Sequence, residues 1–186
     1  MEGINREIDP INKLYIAYGS NLNLSQMKKR CPTARVIGRT EIEDYELVFK
    51  GSKSSAVATI EPCEGSIVPV LIWDIKDEDE KALDRYEGYP NFYGKKEMKI
   101  TLDDNPILAM VYIMTPGYQY GNPSEFYLET IERGYTDSGF NTDILYNAVE
   151  KSIEKMKVCE KVIEEVKEDK AQEKNDQVDI YGMKWW

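Results

Sequence analysis

Glu87 is the side chain in this sequence best placed to move protons. It lies in ALDRYEGYPNFYGK, residues 82–95, at the end of what reads as a short helix, directly before Gly88. Tyr86, Tyr89, Phe92 and Tyr93 surround it in sequence. A carboxylate at a helix C-terminus meets the negative end of the helix dipole. Aromatic neighbours also keep water away, so the acid resists ionisation and its pKa moves toward neutrality. A carboxyl group poised there can accept a proton and later return it, which is general acid–base catalysis. An isolated Glu in such a segment more often simply reaches solvent. A second stretch, YGSNL (Tyr18, Gly19, Ser20, Asn21, Leu22), follows the strand-like run 14–18. A strand that stops at a glycine-containing polar loop leaves backbone N–H groups pointing outward, and successive N–H groups make a cup for an anion or oxyanion. If residues 24–31 are helical, their N-terminus adds a positive dipole end. The same five residues also read as a tight turn whose Asn caps the next helix. A third stretch, VYIMTPGYQYGNPSEFY, supplies Tyr112, Tyr120 and Tyr127. Tyrosines near strand ends usually pack in the core with the hydroxyl at the rim.

Absences narrow the chemistry further. The 186-residue chain contains 13 tyrosines and no histidine. That excludes Ser–His and Cys–His nucleophile pairs and removes the usual ligands of catalytic zinc. The three cysteines, Cys31, Cys63 and Cys159, are far apart and show no CxxC spacing. An odd count without a secretion signal favours free thiols. The net charge of −10 argues against nucleic acid as a partner, because the phosphate backbone needs a basic face. No apolar run approaches the ~20 residues that span a bilayer. The polar start MEGINREIDP lacks the apolar core of a signal peptide, so a cytoplasmic location is expected.

These residues need a scaffold. After a loose leader over 1–12, the patterning predicts a strand at 14–18 and a brief helix at 24–31 with Leu24, Met27 and Cys31 on one face. Residues 34–51 hold two strand-like pieces, around Val36 and around Tyr45–Phe49. Two further strands are expected over 56–63 and 67–75, with Pro69 marking an edge or a strand start. A short helix over 76–89 opens with acids, and strands over 93–102 and 107–116 are joined by the turn DDNP. A helix begins near Pro123, with Gly134 as its expected C-cap. From 142 to about 170, Leu145, Val149, Ile153, Met156, Cys159, Ile163 and Val166 recur by threes and fours, predicting a long amphipathic helix. Strands with hairpin-like neighbours and no βαβ rhythm predict an α+β fold with a curled or closed sheet. Residues 1–150 are read as one domain and 151–186 as a helical extension and tail. Tyr181, Trp185 and Trp186 are expected to pack on the sheet, on a second copy or on a partner, since exposed they would form an adhesive patch.

Taken in order, YIAYGSNLNLSQMKKRCP, LDRYEGYPNFY and VYIMTPGY with PSEFYLETIERGYTDSGF resemble the gamma-glutamylcyclotransferases and their AIG2-like relatives. The resemblance covers most of residues 14–150. It implies a small mixed β-barrel flanked by short helices. It also implies an intramolecular reaction in which the α-amine of a γ-glutamyl group attacks its own γ-amide carbonyl, giving 5-oxoproline and a free amine. No cofactor or metal takes part. Glu87 matches the family's catalytic glutamate. Tyr18, Gly19, Ser20, Asn21 and Leu22 would hold the γ-glutamyl head, and Tyr93, Tyr112 and Tyr127 would line the pocket, with a hydroxyl or two toward the substrate. The leaving amine stays open among an amino acid, a glutathione-like peptide, a polyamine and a modified lysine side chain, the protein's negative charge mildly favouring a cationic amine. A catalytically silent γ-glutamyl or amino-acid binding domain, and an amide hydrolase that uses water on the same site, are the competing readings. A homodimer is also left open.

Overall fold

The structure, a computed structural model, describes residues 13–181, with side chains to residue 170. Six strands form one sheet in the order β4-β5-β1-β3-β2-β6. These are β1 (Lys13–Ala17), β2 (Arg35–Gly51), β3 (Val57–Ile75), β4 (Tyr93–Leu102), β5 (Asn105–Met114) and β6 (Gln119–Tyr120). β1 lies in the middle, antiparallel to β3 and parallel to β5, which makes the sheet mixed. Its residues from Tyr15 to Ala17 are all buried, so this strand reads as an apolar run.

The long stretches 34–51 and 56–75 each look like two strands in the sequence. In the structure each is one bent strand, and the two pair with each other along most of their length. Register shifts between Val36 and Gly38 and between Glu43 and Tyr45 are the reason. The second shift is centred on Asp44, which takes φ 59° and accepts a hydrogen bond from the Gly65 N–H at 2.9 Å. Bulges of this kind keep a ladder continuous while sharpening its twist. They curl the sheet until the Thr40 hydroxyl of β2 donates to the Thr101 carbonyl of β4 at 2.6 Å. Among the described residues no backbone ladder joins β2 to β4, so the sheet is a half-barrel. Pro69 pairs with Glu41 beyond Leu71, the last residue of β3 that β1 reaches, so one side of the strand is unpaired there. That is the edge position a residue without an N–H requires.

Four α-helices flank the sheet. α1 (Leu24–Arg30) is capped by Asn23, whose side-chain oxygen accepts the Gln26 N–H at 3.1 Å. α2 (Asp77–Glu87) begins with four acids, and Asp79 reaches back to accept the Lys76 N–H at 3.1 Å. It ends at Gly88 in the left-handed region, φ 62°. α3 (Glu125–Ser138) starts at the Ser124 cap and ends at Gly139, φ 70°. Gly134 therefore does not cap α3. It sits inside the helix, for the packing reason given below. α4 (Thr142–Tyr181) buries Leu145, Ala148, Val149 and Ser152. The Ser152 hydroxyl accepts the Phe49 N–H of β2 at 2.9 Å and donates to the Ala148 carbonyl at 2.7 Å, and the Lys155 ammonium meets the Glu46 carboxylate at 2.5 Å. Past Met156 the helix leaves the sheet, and Val158, Val162, Ile163 and Val166 are exposed. Among the described residues no helix is long and apolar enough to cross a membrane. The expected packing of Tyr181, Trp185 and Trp186 concerns side chains outside the described part, and the leader 1–12 lies outside it too.

Candidate active site

β1 delivers the chain into Tyr18 and Gly19, and a single 3-10 turn follows over Ser20–Leu22. The turn is closed by the Leu22 N–H bonding the Gly19 carbonyl at 2.9 Å and the Asn23 N–H bonding the Ser20 carbonyl at 3.1 Å. Among the described residues the N–H groups of Ser20 and Asn21 have no acceptor. Such first-turn donors are the orphans of any helix start and form a ready anion site. The turn is fixed from behind. Leu22 is fully buried against α3, and a Cβ on Gly134 would stand 2.6 Å from Leu22 Cβ, 2.7 Å from its carbonyl carbon and 2.9 Å from the Asn23 nitrogen. The Asn23 side-chain amide also donates to the Thr130 carbonyl of α3 at 3.1 Å. Gly134 is thus the residue that lets α3 back the loop directly.

Glu87, the last residue of α2, faces this turn. Its Oε1 accepts from Asn21 Nδ2 at 2.8 Å, and the same amide group donates to the Tyr15 hydroxyl at 2.8 Å. The guanidinium of Arg30, the last residue of α1, donates to Asn21 Oδ1 and lies 3.3 Å over the Tyr86 ring. The Tyr86 hydroxyl in turn sits 3.0 Å from Ser20 Oγ. Burial of the carboxyl pushes Glu87 up to about 7, against the opposing pull of the Arg30 charge and the Asn21 hydrogen bond. The largest cause is the loss of water, the effect expected from its aromatic neighbours. A carboxyl group with that pKa holds comparable populations of both protonation forms near neutral pH.

Tyr15, Tyr18, Gly19, Ser20, Asn21, Ala58, Glu87, Tyr93, Tyr112 and Tyr127 line one narrow cavity of about 20 Å³. Every residue that the family resemblance assigns to the site is among them except Leu22. The Leu22 side chain turns inward against Gly134, and its N–H is already bonded to Gly19, so it neither lines the cavity nor donates into it. The phenols are largely committed to the protein itself. Tyr18 donates to the Tyr112 carbonyl and Tyr93 to the Ala58 carbonyl, both at 2.6 Å, and Tyr112 donates to Asp84 Oδ1. Burial holds Tyr15, Tyr18 and Tyr93 far above the usual phenol range, and Tyr112 and Tyr127 are raised as well. Tyr127 differs because its oxygen accepts the Ala58 N–H at 3.2 Å and also meets the Ser20 side chain in the turn. The Tyr15 oxygen accepts from the Asn21 side chain at 2.8 Å. Tyr120 is elsewhere, with its hydroxyl on Glu61 at 2.6 Å. Tyr127→Phe should orphan the buried Ala58 N–H, lowering stability by about 1–2 kcal/mol. A chemical denaturation midpoint shifted down with an unchanged slope would show it. Tyr15, Ala58 and Arg30 join the site without having been singled out in the sequence. Among the described residues no cluster of three or more Cys, Asp or Glu side chains could hold a metal ion.

Comparisons with known proteins cover the same part of the chain. The profile of the family described as gamma-glutamyl cyclotransferase, AIG2-like, matches residues 15–133, which include most of β1, the turn, α2 and most of α3. The chain is 29% identical over 164 residues to a gamma-glutamylcyclotransferase of Homo sapiens, covering 83% of this chain and 86% of that protein. It is 28% identical over 177 residues to the gamma-glutamylcyclotransferase of Bos taurus, covering 89% and 94%. A solved structure described as a gamma-glutamyl cyclotransferase superposes with a TM-score of 0.66 at 26% identity, covering 74% of this chain and 86% of that one. With the matched segment running through the turn and the facing glutamate, the chain belongs to the gamma-glutamyl cyclotransferase, AIG2-like family.

Proposed function

We propose that the protein converts a γ-glutamyl amine or γ-glutamyl amino acid into 5-oxoproline and the free amine, with Glu87 as the proton carrier. The observation that supports this reading is a carboxyl group of pKa about 7 that is hydrogen-bonded to the Asn21 side chain and shares one cavity with the Gly19–Asn21 turn. The ionised Glu87 takes a proton from the α-ammonium of the γ-glutamyl group. The freed amine nitrogen attacks the γ-carbonyl carbon, and the carbonyl oxygen becomes an oxyanion. The carbon–nitrogen bond of the amide then breaks as Glu87 returns a proton to the leaving nitrogen. Two protons leave the attacking nitrogen and two reach the departing one, so the reaction is proton-neutral and a single shuttling carboxyl serves both ends. The N–H groups of Ser20 and Asn21 receive either the oxyanion or the substrate's α-carboxylate. An oxyanion donor is typically worth about 3–4 kcal/mol in the transition state. Because the ring closes within one molecule, the remaining task of the pocket is to hold the folded-back conformer. The rings of Tyr18, Tyr93 and Tyr112 supply shape, and Tyr127 carries its hydroxyl beside Ser20 in the turn. The cavity has room for about one water molecule, so entry requires its mouth to open. Residues 1–150 would carry the catalytic fold, and 151–186 would be an addition to it.

A panel of γ-glutamyl dipeptides assayed for products tests the reading. Release of 5-oxoproline supports it. Free glutamate as the product would mean hydrolysis, and binding without turnover would mean a silent binding domain. The pH profile is a second check. Glu87 must be ionised to accept the first proton, so kcat/KM should rise with pH and reach half its plateau near pH 7. A profile already flat between pH 5.5 and 8.5 would remove Glu87 from the base role.

A further inference from the structure

We propose that Arg30 is a positioning residue whose guanidinium, clamped on the Tyr86 ring, fixes the orientation of the Asn21 carboxamide and thereby aims Glu87 at the cradle. This rests on the reading of Glu87 given above. A carboxamide can present its oxygen or its NH2 to a neighbour, and the two orientations occupy nearly the same volume. Asn21 stands between two groups that demand opposite ends of it. An ionised Glu87 only accepts hydrogen bonds, so it needs the NH2. A guanidinium only donates, so Arg30 can meet nothing but Oδ1. With Arg30 on Oδ1, Nδ2 is turned toward Glu87 Oε1 and the Tyr15 hydroxyl, both at 2.8 Å. Without it, the carboxamide is free to present Oδ1 to the carboxylate, and the repulsion would swing Glu87 out of line.

The guanidinium itself is held on several sides. Its central carbon lies 3.3 Å from the centre of the Tyr86 ring, and a second nitrogen donates to Gln26 Oε1 at 3.3 Å. Tyr86 reaches Ser20 in the turn. One cation therefore ties the end of α1, the turn and the end of α2 together, and those are the three pieces that must stay in register. Lysine would supply the charge at this place, but it has neither a planar face to stack nor a fork of donors to lock an amide. Arg30 is also the cation that faces Glu87. The other titratable groups turned toward that carboxyl are the phenols Tyr15, Tyr18, Tyr93, Tyr112 and Tyr127, all held un-ionised.

The test compares Arg30→Lys, Arg30→Gln and Glu87→Gln in the full chain, with kcat and its pH profile measured beside a melting curve. Arg30→Lys should lose roughly tenfold in kcat through misalignment while the acid limb of the profile stays in place. Arg30→Gln should lose at least as much, and its acid limb should move to higher pH because the charge that favours ionised Glu87 is gone. Wild-type kcat and profile in either Arg30 variant would overturn the proposal. So would losses that merely track a falling melting point with an unmoved limb in both, since that is the behaviour of a packing residue. Should Arg30→Gln fail to fold, Arg30→Lys alone carries the comparison. Full turnover in Glu87→Gln would strike down the Glu87 reading, whereas an inactive Glu87→Gln beside normal Arg30 variants would strike down only the positioning role.

Discussion

Glu87→Gln is expected to lose roughly 1000-fold in 5-oxoproline release while gaining stability at alkaline pH. The first half follows from role. Glutamine keeps the shape and can still accept the Asn21 hydrogen bond, but it cannot carry a proton, and general acid–base contributions of this kind are typically worth about 100- to 10,000-fold. The second half follows from linkage. In the unfolded chain Glu87 gives up its proton near the ordinary carboxyl value of 4.5, and in the fold only near 7. Between those values the folded state binds more protons than the unfolded state, so stability falls as pH rises. Above pH 7 the full difference applies, up to about 3 kcal/mol by the value of one pKa unit. Glutamine has no such penalty. The variant should therefore melt several degrees above the natural protein at pH 8, and the two should converge near pH 4.5. A variant that melts lower at pH 8 would show that Glu87 ionises freely in the fold, and the proton-carrier role would lose its physical basis.

The second large effect is expected at a residue that never meets substrate. Gly134→Ala should destabilise the protein by about 1–3 kcal/mol and lower kcat by up to roughly 100-fold. On helix propensity alone the change would be favourable by up to about 1 kcal/mol, since alanine is the better helix former. Packing decides the sign. The added methyl would meet Leu22 Cβ at 2.6 Å, the Leu22 carbonyl carbon at 2.7 Å and the Asn23 nitrogen at 2.9 Å, and two of those three atoms are backbone. Backbone cannot rotate out of the way as a side-chain tip can, so the 3-10 turn must move, and with it the Ser20 and Asn21 N–H groups. Melting curves and initial rates measured together check this. A variant as stable and as active as the natural protein would mean that α3 does not hold the loop.

How much of this was legible in the sequence differs residue by residue, for physical reasons. Glu87 and Tyr18–Asn21 are readable because their character is local: a helix that ends at Gly88, and a strand that runs into Gly19. The α+β class and the curled sheet follow from strand patterning in the same way. Gly134 misleads because a glycine late in a helical pattern looks like a stop signal, and the contact that explains it comes from Leu22, more than a hundred residues earlier. The real stop is Gly139, five residues on. Asp44 and Gly38 hide the continuity of β2, because a bulge breaks the alternation without ending the ladder. Ala58 has no side-chain chemistry to notice. It lines the site only because the β2–β3 register places its N–H and carbonyl between Tyr127 and Tyr93. Arg30 looks like one more basic residue in the last turn of a short helix, and its partner Asn21 lies outside that helix.

The buttress that α3 gives the loop has a bearing on how such a protein can acquire a new substrate range. The wall behind the head-group seat has no slack, so almost any change there is felt by the chemistry. Tyr89, by contrast, is 42% exposed on the segment that flanks Glu87. A ring in that setting can be exchanged for other side chains at little penalty to folding. Under the function proposed above, diversification by mutation is channelled outward, toward the part of the substrate that would depart as the amine, while the part that would become the lactam is the one the scaffold holds constant.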